Sequence, residues 1–389
     1  MPDEQYQLTL GLAYARTPLG VIDLGYGSPF QKLLEAFALQ GAGTGRLDVL
    51  RTSITATATN DGVSLPAFLG ASLRAQLAAA LARPETLGEP VVVGLSSASD
   101  AVDQQVGSVP FVRLHLVQAA IVDACRQLLA REVPTAMRTR LQPVAAGAFA
   151  LAARLAFETH DDIAAAVLFD KAVAAVGGTD PSRRALTRSS QTMVTYYMRG
   201  DVSRARALAD AAVEDARRGE SVLMRARAHA LQAEMAARGE PPQHRHAHLA
   251  LHLAWHDLDQ DHAGDPIADV FSKGRMRGFE GVCGIFLGEA EEAERHLAKS
   301  AALLTGARDI VQRGIVLTDR ALARLHQQGP GAAESAADQL HECVDLIATT
   351  RGRVSAQRLR RARLELGPWR HERFVADLDD HIHTALIGI

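Results

Sequence analysis

A triplet of small or apolar residues at four-then-three spacing recurs along this chain at a nearly constant interval. It reads Ala165, Phe169, Ala172; then Ala205, Ala209, Ala212; then Ala247, Leu251, Ala254; then Ala293, Leu297, Ser300; and last Ala336, Leu340, Cys343. Successive leading alanines lie 40, 42, 46 and 43 residues apart. Each triplet follows a turn, at His160-Asp161, Gly200-Asp201, Gly239-Glu240, Gly288-Glu289 and Gln328-Gly329. Residues at i, i+4 and i+7 share one face of a helix. A small residue on that face lets two helix axes approach closely. The repeating unit is therefore a helix, a turn and a second helix that lies against its own partner and the next repeat. The fold class this implies is all-α, built from stacked antiparallel helix pairs.

Three segments follow from the pattern. Residues 109–352 hold about five helix pairs, and 353–389 form capping helices: a basic helix to Leu366, a break at Gly367-Pro368, and an amphipathic helix from His371 to about Leu386. Residues 1–108 form an N-terminal helical segment, with helices expected over 29–40, 64–83 and about 91–106. Gly- and Thr-rich loops separate them, and residues 1–28 and the stretch from Thr52 to Asn60 read as mobile.

Composition narrows the function. Apolar residues are 47% and charged residues 22% of the chain, and the formal charge is −3. That balance suits packed helices and gives no overall electrostatic pull toward a nucleic-acid polyanion. No apolar run approaches the roughly 18 residues of a membrane span, and MPDEQYQLTL lacks the regions of a signal peptide, so a cytoplasmic location is expected. Cys125, Cys283 and Cys343 are widely spaced on apolar helix faces without CxxC or Cys-His spacing, which reads as reduced core cysteine.

The repeats resemble the tetratricopeptide family. More specifically, the order of motifs is similar to the C-terminal regulatory half of bacterial transcriptional regulators of the xenobiotic-response-element, helix-turn-helix type. The residues that carry the likeness are Asp23-Leu24-Gly25-Tyr26-Gly27, Ser64-Leu65-Pro66-Ala67-Phe68-Leu69, the stretch from Gly288 to Leu297, and the close from Arg358 to Arg370. The resemblance implies tetratricopeptide-like pairs wound into a right-handed superhelix, with a regulatory role in transcription. Only about twenty residues precede Asp23, where a helix-turn-helix domain takes on the order of sixty. What the resemblance implies here is a regulatory half without its DNA-reading domain.

Catalytic motifs are scarce. There is no GxSxG, and Gly94-Leu95-Ser96-Ser97-Ala98 lies in an expected helix with no base near it in sequence. The Gly-rich stretches at 41–45 and Gly177-Gly178 lack the lysine of a phosphate loop and read as turns. His244, His248, His252 and His256 stand at i, i+4 spacing, with His246 nearby. Such a stripe can chelate a transition metal, but with no second ligand element visible it reads as a solvated helix flank, and no metal or cofactor is assigned. The run Arg351, Arg353, Arg358, Arg360, Arg361, Arg363 reads as an exposed basic helix face. Of Tyr196 and Tyr197, one is expected in the core and one on the inner groove.

In a superhelix the first helix of each pair lines the concave side, where such arrays hold their ligands. Arg154, Gln191, Tyr197, Arg225, His229, Arg275 and Asp319 are the residues expected there, a polar lining suited to an acidic or peptide ligand. The function expected is a non-enzymatic regulatory module that binds a protein, a peptide or a small effector, with no direct nucleic-acid contact. A scaffold or anti-regulator without small ligand is the first alternative, and a metal-dependent enzyme using the histidine stripe the second. Repeat arrays often pair through their ends, which makes a homodimer the oligomer to look for.

Overall fold

The computed structural model describes residues 14–17, 20–23, 69–109, 111–178, 180–306, 309–350 and 352–386. Their regular structure is helical apart from one short antiparallel hairpin and an isolated bridge between Val106 and Val109. In the hairpin, β1 (Tyr14–Thr17) pairs with β2 (Gly20–Asp23), Tyr14 opposite Asp23 and Thr17 opposite Gly20. The sequence reading had no strand there, although Tyr14, Thr17, Val21 and Ile22 are residue types that favour one. The helix expected over 29–40, the Thr-rich stretch and the 24–27 and 64–68 motifs lie outside the described residues.

Two compact units divide the chain, Met1–Gln105 with Phe111–Val176, and Val106–Pro110 with Gly177–Ile389. The division after Val176 falls inside the 109–352 span that the sequence assigns to one array. The first unit holds α1 (Ala71–Ala82), α2 (Glu89–Asp103), α3 (Phe111–Leu129), α4 (Thr135–Glu158) and α5 (Asp162–Val176). Its core is Leu77, Leu95, Phe111, Ile121, Leu128, Leu141, Phe157 and Phe169. Each such side chain, fully buried, contributes about 1.5–3 kcal/mol. The α4–α5 turn is closed by His160 in the left-handed region and by Asp161, whose side chain accepts from the Ala164 N–H at 2.9 Å.

Among its described residues the second unit holds ten α-helices in five successive pairs, the last of which is a pair by order and not by packing. They are α6 (Pro181–Arg199) with α7 (Val202–Arg218), α8 (Val222–Ala237) with α9 (His244–Leu258), α10 (Lys273–Leu287) with α11 (Ala290–Leu303), α12 (Ile310–His326) with α13 (Ala332–Thr350), and α14 (Arg353–Glu365) with α15 (Arg373–Leu386). Within the first four pairs the two helices pack tightly on each other. The first helices also touch in series, α6 on α8, α8 on α10, α10 on α12 and α12 on α14, forming one layer, and the second helices pack outside it. Side-chain N-caps start four of these helices: Asp180, Asp201, Ser221 and Ser272 each accept from the N–H three residues on. Each cap satisfies a donor the helix leaves open. Gly200 and Gly288 end α6 and α10 with φ of 66° and 79°, a left-handed conformation that L side chains resist.

The repeat triplets lie where the spacing puts them. Every one of the fifteen positions is buried except Leu251, which is half-buried. Two glycines of α10 lie close against α11. There a Cβ at Gly281 would overlap the Leu297 side chain, and one at Gly284 would sit 3.0 Å from the Ala293 Cβ. The three cysteines are buried and unpaired by disulfides, as expected.

Candidate functional site

All five first helices of the second unit deliver a side chain to one polar cavity. Tyr196 and Tyr197 come from α6, Arg238 from the C-cap of α8, Ile285 and Phe286 from α10, Asp319 and Leu322 from α12, and Gln357, Arg358 and Arg361 from α14. The convergence follows from the layer itself, since first helices stacked in series turn a line of side chains toward one another. The cavity measures about 70 Å³. Ligand pockets for drug-sized molecules run from roughly 300 Å³ upward, so this one suits a carboxylate-sized group or a side chain.

Its wall is a chain of charge-assisted hydrogen bonds. Glu234, one turn before Arg238 on α8, accepts from the Arg238 Nε at 2.9 Å and from a terminal nitrogen at 2.7 Å. The other terminal nitrogen of Arg238 donates to the Tyr196 hydroxyl at 2.9 Å. Arg358 donates from Nε to the Tyr197 hydroxyl at 2.6 Å, pairs with Asp319, and reaches Glu234 at 3.5 Å. Two cations and two carboxylates thus neutralise one another inside, which is the condition for keeping such charges out of water. The rings add to it: Tyr196 and Tyr197 meet edge to face at 5.0 Å, and Arg238 lies 4.6 Å from the Tyr196 centroid and 4.3 Å from that of Phe286.

Burial shifts these groups. It pushes the Asp319 carboxyl above the usual range, and the Arg358 guanidinium pulls it part of the way back. It pushes the Tyr197 phenol up as well, against Arg358 and Arg238. Burial works against the charge on Arg238 and Arg358. Glu234 and the tyrosines hold Arg238 above its ordinary value, and Asp319 and Tyr197 do the same for Arg358.

Arg361 and Gln357 differ from the rest of the lining. Arg361 is half-exposed, stacks 4.8 Å from the Phe286 centroid, and has one weak ion pair, to Glu365 at 3.4 Å through Nε. Its two terminal nitrogens, and the Gln357 amide, have no partner among the described residues. Among the described residues the lining contains no serine, cysteine, lysine or histidine. What it presents to an incoming group is planar N–H donors and stacking faces.

Of the seven residues expected on a binding surface, Tyr197 and Asp319 are brought together here. The others are placed elsewhere. Arg154 sits half-buried on α4 in the first unit, and Gln191 half-buried on α6. Arg225 pairs with Asp257 of α9 at 3.3 Å, and Arg275 pairs with Asp309 at 3.1 Å. His229 is buried, its Nδ1 3.3 Å from the Gln232 side chain. Both tyrosines line the cavity, although only one was expected to do so. The exposed basic face is corrected in part: Arg360 is exposed, but Arg353 and Arg358 are buried and Arg363 holds Asp379, and for Arg358 and Arg363 the acids come from other helices that sequence distance hides. Sequence reasoning missed Glu234, Arg238 and Arg358. The one local signal was Glu234 set among Ala233, Met235, Ala236 and Ala237, a charge where every neighbour is core.

The histidine stripe is exposed along α9. Its first two members, however, meet a third group: donor atoms of His244, His248 and Glu289 all lie within 4.8 Å of one another.

Fold and site together define an all-helical array of helix pairs with a polar cavity on its first helices, and no described helix is long and apolar enough to cross a membrane. Comparison with protein-family models, curated proteins and solved structures finds no match.

Proposed function

We propose that this chain is a non-enzymatic binding module of tetratricopeptide-like design, acting in regulation, whose cavity receives a small anionic group from a protein, a peptide or a small effector. The observation that carries this reading is the pair of planar donors at the cavity, the Arg361 terminal nitrogens and the Gln357 amide, which have no partner among the described residues while the other charges of the lining already cancel. A guanidinium with two open N–H donors matches a carboxylate bidentately, and a ring beneath it fixes its plane. A transcriptional role rests on the family resemblance of the sequence, and the same resemblance makes a cytoplasmic partner the natural occupant.

The test compares peptides that differ only in a free or an amidated C-terminus, alongside acetylated amino acids as small effectors. Binding is read by calorimetry on the wild type, Arg361→Ala and Gln357→Ala. The reading requires the free carboxylate to bind more tightly and both substitutions to weaken it. The scaffold alternative is favoured by the self-neutralised wall, which needs no ligand to be stable; binding indifferent to the carboxylate and to Arg361 would establish it in place of the anion site.

A further inference from the structure

We infer that His244, His248 and Glu289 form a divalent transition-metal site linking consecutive repeats of the second unit. His244 opens α9 and His248 follows one turn later, so both imidazoles rise from the same helix face. Two histidines so spaced are a bidentate chelate, and they lack only a ligand from another element. Glu289 supplies it. It is the second of the two residues between α10 and α11, the next pair along, and its side chain caps no helix N–H. Its backbone is fixed on both sides: the Glu289 N–H donates to the Gly284 carbonyl at 2.8 Å, and its carbonyl accepts from Ala293 at 2.9 Å. The turn therefore aims the carboxylate at α9, where it lies 3.0 Å from the His248 Nε2.

Ligand type selects the ion. Two imidazoles and one carboxylate suit zinc, nickel, cobalt or copper better than calcium or magnesium, which prefer oxygen alone. With metal bonds of roughly 2.0–2.2 Å, donors around a tetrahedral ion are about 3.4 Å apart. The present separations, all within 4.8 Å, need only small side-chain rotations to meet that. Both histidines are exposed and the glutamate is half-buried, so water completes the shell and the ion exchanges freely. The same exposure means that all three side chains can be replaced without opening a core. His252 and His256 continue the stripe but have no third ligand among the described residues, so the geometry assigns them no part.

The experiment is calorimetric titration of zinc chloride into the full chain after chelator treatment, with helicity of every variant checked by circular dichroism. One ion per chain is expected. His248→Ala and Glu289→Gln each weaken binding at least tenfold, while His252→Ala with His256→Ala leaves affinity unchanged. Cobalt in place of zinc gives the visible bands of a four-coordinate site in the wild type and loses them in Glu289→Gln. Zinc bound by Glu289→Gln as tightly as by the wild type would mean chelation by the helix alone and would overturn the site. So would the absence of binding at micromolar zinc, or loss of binding in the double variant.

Discussion

The Tyr197 hydroxyl on α6 accepts a 2.6 Å hydrogen bond from the Nε of Arg358 on α14, 161 residues further along the chain. The first and last of the five first helices are therefore clasped directly, and Arg358 is the clasp. It also neutralises Asp319 and lies 3.5 Å from Glu234. Arg358→Ala leaves the buried Asp319 carboxylate without a cation, and we expect it to lower unfolding free energy by about 3–5 kcal/mol, measured by urea denaturation. Arg358→Met combined with Asp319→Leu removes charge on both sides and should cost less than the single alanine. If the double variant is the less stable of the two, the charges are not buried as described.

The glycine at 281 tests how closely α10 and α11 approach. In an ordinary helix Gly→Ala stabilises by about 1 kcal/mol. Here the added methyl meets Leu297, a fully buried member of the repeat triplet, so Leu297 must move or the helices must part. Gly281→Ala should destabilise the chain by about 1–3 kcal/mol as an overpacked core does. A rise in thermal midpoint would show that the two helices leave room for a methyl group between Gly281 and Leu297.

The repeat was legible because it is a local property. Ala205, Ala209 and Ala212 must face one way in any helix, and the turn before them fixes which neighbour they meet. Leu251 fell short of full burial, yet its flanking alanines, Ala247 and Ala254, are buried to the last. The site was legible only in part. Tyr197 and Asp319 could be placed on first helices from the turn positions. What joined them could not, since Arg358 owes its burial to an aspartate 39 residues away and a tyrosine 161 residues away. Read along its own helix, interleaved with Leu359 and Leu364, it resembles a surface arginine. Glu289 was hidden in the same way, as an unremarkable turn residue until α9 is laid beside it.

The thiols report on the core without any substitution. Burial pushes Cys125 and Cys343 up to about 12 and raises Cys283 well above its ordinary value. At pH 8 almost none of each is thiolate, the form that reacts. A chromogenic disulfide reagent should find none of the three within minutes in the native chain, and all three once urea unfolds it. Rapid reaction of one thiol in the native state would locate an opening in the helix pair that contains it.

Acid should weaken the fold in a window that two histidines set. His229 on α8 is 3% exposed, and burial pulls its pKa below the ordinary value, against a hydrogen bond to Gln232 and the charge of Asp257. Burial likewise lowers His115, whose Nδ1 is 2.9 Å from the Thr159 hydroxyl, with Asp161 opposing. In the unfolded chain each takes a proton near pH 6.5, while the folded chain keeps both neutral to lower pH. The unfolded state then binds more protons between those two values. Stability is whole above about pH 6.5 and is lost as pH falls through that point toward the folded values. The urea midpoint should drop from pH 7.5 to pH 5.5, and His229→Gln, which cannot titrate, should drop less over the same range. Equal slopes for the variant and the wild type would mean that His229 is as open to water in the folded chain as in the unfolded one.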